Sequence, residues 1–165
     1  MNSSEPRIEA QYKTLFVIWA SFLMSQVMFV VIVFITRPKL FQFDFSQPLL
    51  GDGSAKSGDT SALILGFAVA AVTAVGFSFA FRRRLNERAV AEQNPTHVQT
   101  GLIIALALCE ASSLFGLALA FAFDYPYFFL WIALGIICIA MHFPKRTELR
   151  AAALNSPPSM QKPAR

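Results

Sequence analysis

Residues 98–123 read VQTGLIIALALCEASSLFGLALAFAF, a run of 26 residues in which Glu110 is the single charged side chain. With a rise of about 1.5 Å per residue, an α-helix of this length can cross the hydrocarbon core of a bilayer, which is about 30 Å thick. Because water is absent there, the backbone groups must be paired within the segment, and a helix pairs them. The stretch therefore predicts a transmembrane helix that carries one acid near its centre.

Three further runs of the same kind surround this one along the chain. Residues 14–36 and 60–81 contain no charged side chain over 23 and 22 residues, and residues 125–143 form a fourth run of 19. We predict an all-α fold, a bundle of four antiparallel transmembrane helices within residues 1–143. A basic tail, residues 144–165, follows, and we expect one or two helical turns over residues 149–154 and disorder in the last ten residues.

The composition excludes several other classes of protein. Apolar residues make up 55% of the 165 residues, charged residues only 15%, and the mean hydropathy is +0.51. Soluble domains are nearer 45–50% apolar and about 25% charged. Low charge argues against intrinsic disorder, and two Cys are too few for a disulfide scaffold. What remains is an integral membrane protein.

The positions of Lys and Arg predict the orientation of the spans. If the amino terminus is inside, the outer side holds only Arg37, Lys39 and Lys56 of the fourteen basic residues. The other eleven are Arg7, Lys13, Arg82, Arg83, Arg84, Arg88, Lys145, Arg146, Arg150, Lys162 and Arg165. Basic residues favour the cytoplasmic side, so we expect both termini in the cytoplasm and the protein in the cell inner membrane. The same bias explains the pI of about 9.4 through attraction to anionic lipid, without nucleic-acid binding.

Two rows of small residues predict how the helices pack. Inside a bilayer, close approach of helices depends on small side chains rather than on apolar area. The row on the third span comprises Gly101, Ala105, Cys109, Ser112, Gly116 and Ala120. The row on the second span comprises Ala62, Gly66, Ala70, Thr73, Gly76 and Ala80. Spacings of three and four keep each row on one helix face, so we expect the two helices to pack as a tight hairpin through these rows.

Polar residues coincide near the middle of three spans. Glu110 lies at the centre of the third span with Ser113 one turn on, and Ser25, Gln26 and Thr73 lie near the centres of the first two. An acid at this depth is costly, so it normally faces protein and often marks function. We predict a buried, protonatable Glu110 that desolvation keeps mostly neutral, with Gln26, Thr73 or Ser113 as hydrogen-bond partners.

The segment around Glu110 also resembles a known family. Asn94 and Pro95 precede TGLIIALALCEA at residues 100–111 and GLALA at residues 116–120. Over about residues 88–121, this pattern is similar to the carboxylate-bearing helix of the proteolipid c subunits of rotary ATP synthases. The resemblance implies that Glu110 takes up and releases a proton or a sodium ion. It also implies that the loop at residues 88–95 forms the cytoplasmic face of a rotor.

Three functions follow as hypotheses. The first is a non-catalytic accessory subunit, or a homo-oligomer, that works by helix packing in the bilayer and uses no cofactor. The second is a proton or cation carrier that uses Glu110, and the third is a haem-binding electron carrier with His97 and His142 as ligands. The sequence shows no nucleophile–base pair or metal-ligand motif, so we expect no enzyme. We interpret Cys109 and Cys138 as small packing residues within their spans rather than as a disulfide or metal ligands.

Overall fold

A computed structural model of the protein describes residues 5–42 and 58–154. The helices in these ranges are α1 (Glu5–Thr36), α2 (Gly58–Ala91), α3 (Thr96–Phe123), α4 (Phe128–Met141) and α5 (Arg146–Leu154), with a 3-10 helix at Pro38–Phe41. No β-strand occurs in the described ranges, which confirms the all-α fold class. Residues 43–57 and the last eleven residues, which include the ten that the sequence predicts to be disordered, lie outside these ranges.

The helix α3 is the centre of the bundle. It makes its most extensive contact with α2 and its next with α4, and α1 packs against both α3 and α4. Along α3, the buried residues include large apolar side chains as well as the small-residue row, among them Leu102, Leu106 and Leu119. A helix that is buried on several sides in this way positions whatever polar groups it carries between its neighbours.

Two helices extend beyond the apolar runs that predict them. The helix α1 begins at Glu5, nine residues before the predicted span, and α2 continues to Ala91, ten residues past Phe81. Hydropathy marks only the part of a helix that lies in lipid. Arg and Glu, which make up five of the ten residues in the extension of α2, have helix propensities close to those of Leu and Met, and the extension contains no Gly or Pro that would end the helix.

The fourth helix is shorter than the apolar run that predicts it. The helix α3 ends where Asp124 adopts a left-handed conformation with φ of 50°, and α4 starts only at Phe128, after Pro126. It stops at Met141, shortly before Pro144, because the residue preceding a proline disfavours helical conformation. At about 1.5 Å per residue, its 14 residues cover only about 21 Å.

The structure supports a membrane protein with three or four crossings in the described ranges. The helices α1, α2 and α3 are long and apolar enough to span a bilayer. The pair of α4 and α5 reaches that length only when counted together, and it is bent by 45°. The fourth crossing therefore stays a prediction.

The two ends of the bundle carry different ion pairs. At one end, named here the basic end, α1 begins, α2 passes into α3 and α5 packs against α1 and α2. There, Arg82 pairs with Glu148 at 3.1 Å. At the opposite end, Arg37 pairs with Asp124 at 2.6 Å. The helix at the basic end, α5, confirms the helical turns predicted over residues 149–154.

Candidate functional site

The small-residue row of α3 lies at helix contacts as predicted. All six of its members are buried. A Cβ atom at Gly116 would lie 2.5 Å from Cβ of Trp131 and 2.9 Å from the carbonyl oxygen of Phe128. A Cβ atom at Gly101 would lie 3.0 Å from Cβ of Leu85 on α2. The missing side chains are therefore what allows α2 and α4 to approach α3 so closely.

The matching prediction for α2 is wrong. Gly66 and Gly76 are exposed, and a Cβ atom added to either meets nothing within 4 Å among the described residues. Ala62, Thr73 and Ala80 are exposed as well, and Ala70 is partly buried. The buried residues of α2 are instead Ile64, Ala71, Ser78 and Ala89. Since α3 already supplies the small residues at this contact, α2 meets it with the opposite face.

Glu110 lies between α3 and α1. Its Oε1 atom is 2.6 Å from Oγ of Ser25, and Nε2 of Gln26 is 3.5 Å from the same hydroxyl oxygen. The side chain faces protein, although it is partly rather than fully buried. The structure therefore brings Ser25 to Glu110 directly and Gln26 to it through Ser25.

The Ser25 hydroxyl can form a hydrogen bond with Glu110 in either protonation state of the carboxyl group. Its oxygen is also 2.7 Å from the carbonyl oxygen of Phe22, which can only accept a hydrogen bond. When the hydroxyl donates to Phe22, a protonated Glu110 can donate to Ser25. When the hydroxyl rotates, it donates to an ionised Glu110 instead. One bond rotation thus accommodates the gain or loss of a proton.

Two predicted members of the Glu110 site form no hydrogen bond with Glu110 in the described structure. Thr73 is exposed on α2, where its hydroxyl donates to the carbonyl oxygen of Val69, so the prediction that it joins Glu110 is wrong. Ser113 is buried against Gly135 of α4, and its Oγ has no hydrogen-bond partner among the described residues. Oε1 of Gln26 is similarly buried without a partner there, 3.3 Å from the place of a Cβ atom at Gly135.

A second polar cluster lies beside the first, and the interpretation of its cysteines as packing residues alone is wrong. Cys109 of α3 and Cys138 of α4 are joined as a disulfide. His142 is fully buried next to them, with Nδ1 at 2.8 Å from the carbonyl oxygen of Cys138 and 4.0 Å from Sγ of Cys109. Ser78 of α2 completes the group, which we call the Cys–His cluster: Cys109, Cys138, His142 and Ser78.

The sequence contains signals for this cluster. Cys138 and His142 are four residues apart, so they share one helix face. In the predicted spans, Cys109 lies 14 residues before the end of the third, and Cys138 lies 13 residues after the start of the fourth. Adjacent antiparallel spans place such positions at the same depth. Two Cys at the same depth of adjacent spans, with a His four residues after one of them, therefore form a candidate set of metal ligands.

The two histidines have separate neighbours in the fold. Nε2 of His97 is 2.7 Å from Oε2 of Glu92, next to the α2–α3 connection. The His142 ring instead packs against Phe79, with ring centroids 4.5 Å apart. His97 and His142 therefore contact different side chains.

No protein-family model, curated protein or solved structure matches the chain. The resemblance to proteolipid c subunits therefore stays a prediction that rests on residues 88–121.

Proposed function

We propose that the protein is a non-catalytic membrane subunit that associates with further copies of itself through the exposed row of α2. The supporting observation is the exposure of Gly66 and Gly76, whose missing side chains no neighbour within the described structure uses. Helices in lipid associate where small residues let two backbones approach. Ala62, Gly66 and Ala70 are four residues apart in succession, as are Gly76 and Ala80, which gives the small-xxx-small pattern.

The row faces away from the rest of the bundle. The buried residues Ile64, Ala71 and Ser78 recur every seven residues and follow one side of α2. With about 3.6 residues per turn, the small-residue row falls on the other side of the same helix. A second copy can therefore pack there without disturbing the contact between α2 and α3.

The double variant Gly66→Leu and Gly76→Leu tests this proposal. We expect the unaltered protein to be oligomeric in mild detergent and the variant to be monomeric with the same helix content, because the added side chains meet nothing within the protomer. Light scattering coupled to size-exclusion chromatography measures the mass of the protein component. The control is Val72→Leu, on an α2 residue that is 68% exposed but lies outside the row. A monomeric unaltered protein, or a variant that stays oligomeric, contradicts the proposal.

The pair of Ser25 and Glu110 favours a second candidate function, a proton or cation carrier. A carboxyl group and a hydroxyl 2.6 Å apart at mid-helix form a site that can hold a proton in the bilayer. The site lies between α1 and α3, and Glu110 is only partly buried there.

Glu110→Gln separates the two candidates. The amide keeps the shape of the side chain but cannot release a proton, so we expect the oligomeric state to be unchanged in either case. If the protein carries protons, the variant abolishes proton uptake into liposomes that contain the purified protein. Glu87→Gln, at an exposed acid on α2, is the control and should retain uptake. Equal proton fluxes with and without Glu110 contradict the carrier function.

The proposed setting is the cell inner membrane with the basic end in the cytoplasm. The support is the distribution of Lys and Arg, of which Arg82, Arg83, Arg84 and Arg88 lie along the end of α2 next to α3. In this orientation, both chain termini are cytoplasmic.

A further inference from the structure

The Cys–His cluster gathers the ligand types of a metal site in a fully buried position. The two Sγ atoms and one imidazole nitrogen of His142 all lie within 4.8 Å of one another. Cys109, Cys138 and His142 are each at most 1% exposed. Thiolate and imidazole are the ligands that zinc prefers in proteins.

His142 is prepared to act as a ligand. Nδ1 lies 2.8 Å from a backbone carbonyl, so in the neutral ring Nδ1 carries the proton and donates it to Cys138. Nδ1 is also the ring nitrogen that lies 4.0 Å from Sγ of Cys109. The nitrogen that keeps its lone pair for a metal is Nε2. It is buried and has no hydrogen-bond partner in the ranges that the structure describes. Ligating histidines commonly donate their second ring N–H to a carbonyl in this manner, which fixes the tautomer.

Ser78 lies close to both sulfur atoms of the cluster. Its Oγ is 3.6 Å from Sγ of Cys109 and 3.7 Å from Sγ of Cys138. Bond lengths of about 2.0–2.3 Å place the ligands of a tetrahedral zinc ion about 3.3–3.8 Å apart. In the disulfide-bonded form, the hydroxyl is thus already about as far from each sulfur as a fourth ligand, or a water held by it, would be.

We propose that the reduced Cys–His cluster binds one Zn²⁺ ion through Cys109, Cys138 and His142, with Ser78 beside the fourth position. The charge of the ligands favours a divalent ion over a monovalent one. Two thiolates and a neutral imidazole carry a charge of −2, so Zn²⁺ makes the buried group neutral, whereas Cu⁺ leaves one uncompensated negative charge in an apolar surrounding. A buried net charge is costly.

The disulfide and the metal exclude each other, so the site depends on the redox state. A dithiol or phosphine reductant supplies two electrons to the S–S bond, two protons complete the thiols, and the reductant is oxidised. Zn²⁺ then replaces the two thiol protons, which are released. If the basic end faces the cytoplasm, the cluster lies toward a reducing compartment, where thiols persist.

Metal titration of the full chain in detergent tests the proposal. The protein is reduced with a phosphine, its two thiols are counted, and Co²⁺ is added as a spectroscopic substitute for Zn²⁺. We expect one equivalent of Co²⁺ to produce a thiolate-to-metal charge-transfer band and the intense d–d bands of tetrahedral coordination. Zn²⁺ should displace it, and the oxidised protein should give neither band. Because the chain has only two Cys, any such charge-transfer band comes from Cys109 and Cys138.

Variants assign the ligands. Cys138→Ser should abolish the charge-transfer bands of two thiolates and stoichiometric Zn²⁺ binding. His142→Gln should weaken binding by more than the about 10–100-fold typical of a lost second-shell partner. His97→Gln replaces the other histidine of the chain and is the control, with binding unchanged. The proposal fails if oxidised protein or Cys138→Ser binds Zn²⁺ as well as reduced protein does, if His142→Gln binds normally, or if only Cu⁺ binds.

Discussion

Gly116→Ala and Gly135→Ala are each expected to lower the free energy of unfolding by about 1–3 kcal/mol, the usual cost of overpacking a close contact. A Cβ atom at Gly116 meets Cβ of Trp131 at 2.5 Å, and one at Gly135 meets the hydroxyl of Ser113. Backbone atoms of the facing helix also lie near both positions, at 2.9 Å for Gly116 and 3.3 Å for Gly135. Because backbone cannot turn aside as a flexible side chain can, α3 and α4 have to separate.

The same substitution at exposed glycines provides the control. Gly66→Ala and Gly76→Ala add a Cβ atom that meets nothing within 4 Å in the described ranges, so within a single protomer only helix propensity changes. Alanine is favoured over glycine in a helix by up to about 1 kcal/mol, and we expect a small gain in stability. Helix content followed during unfolding in mixed micelles with increasing sodium dodecyl sulfate measures all four variants. Equal effects at the two pairs of sites contradict this account of the packing.

Arg82→Ala is expected to release α5 from the bundle. The guanidinium lies 3.1 Å from Oε2 of Glu148 and 3.2 Å from the carbonyl oxygen of Phe143, and so holds both the start of α5 and the segment before it. The two side chains are only 12% and 24% exposed. Hydrogen bonds to charged groups contribute about 1.5–3 kcal/mol, and the variant also leaves Glu148 without this partner.

Hydrogen exchange of the α5 amides measures this effect. Since about 1.4 kcal/mol corresponds to a factor of ten, exchange over α5 should accelerate at least about tenfold in Arg82→Ala. Arg83→Ala is the matched control, because the Arg83–Glu87 pair is 84% and 62% exposed and contributes little. If both variants protect α5 equally, Arg82 is not what holds this helix.

The spans could be predicted from the sequence because bilayer thickness sets the length of an apolar run. The runs of residues 14–36, 60–81 and 98–123 all fall within long helices. The run of residues 125–143 predicts too long a helix α4, because Tyr125 and Tyr127 are apolar enough to continue the run although they belong to the connection between α3 and α4. Hydropathy does not distinguish a helix from an apolar connection between helices.

The candidate sites were only partly predictable. The meeting of Ser25 and Glu110 follows from their shared depth in neighbouring spans, whereas Thr73 has that depth but faces the other way. A row of small residues predicts that another helix can pack closely against it, but it does not identify which helix does so. For this reason the prediction that the row packs inside the bundle is confirmed for α3 and wrong for α2. The pairing of Cys109 with Cys138 depends on the rotation of two helices, which their spacing alone leaves open.

The short fourth helix has a consequence for the lipid around the protein. If α4 is the fourth crossing, about 21 Å of helix stands where hydrocarbon is about 30 Å thick, and acyl chains beside α4 face a gap of about 9 Å. A membrane meets such a deficit by local compression, or by drawing polar groups inward. A fourth crossing by α4 would therefore shorten the acyl chains next to it relative to those beside α1 and α2, so the lipid layer around the protein would be uneven in thickness and thinner regions of the membrane would be favoured.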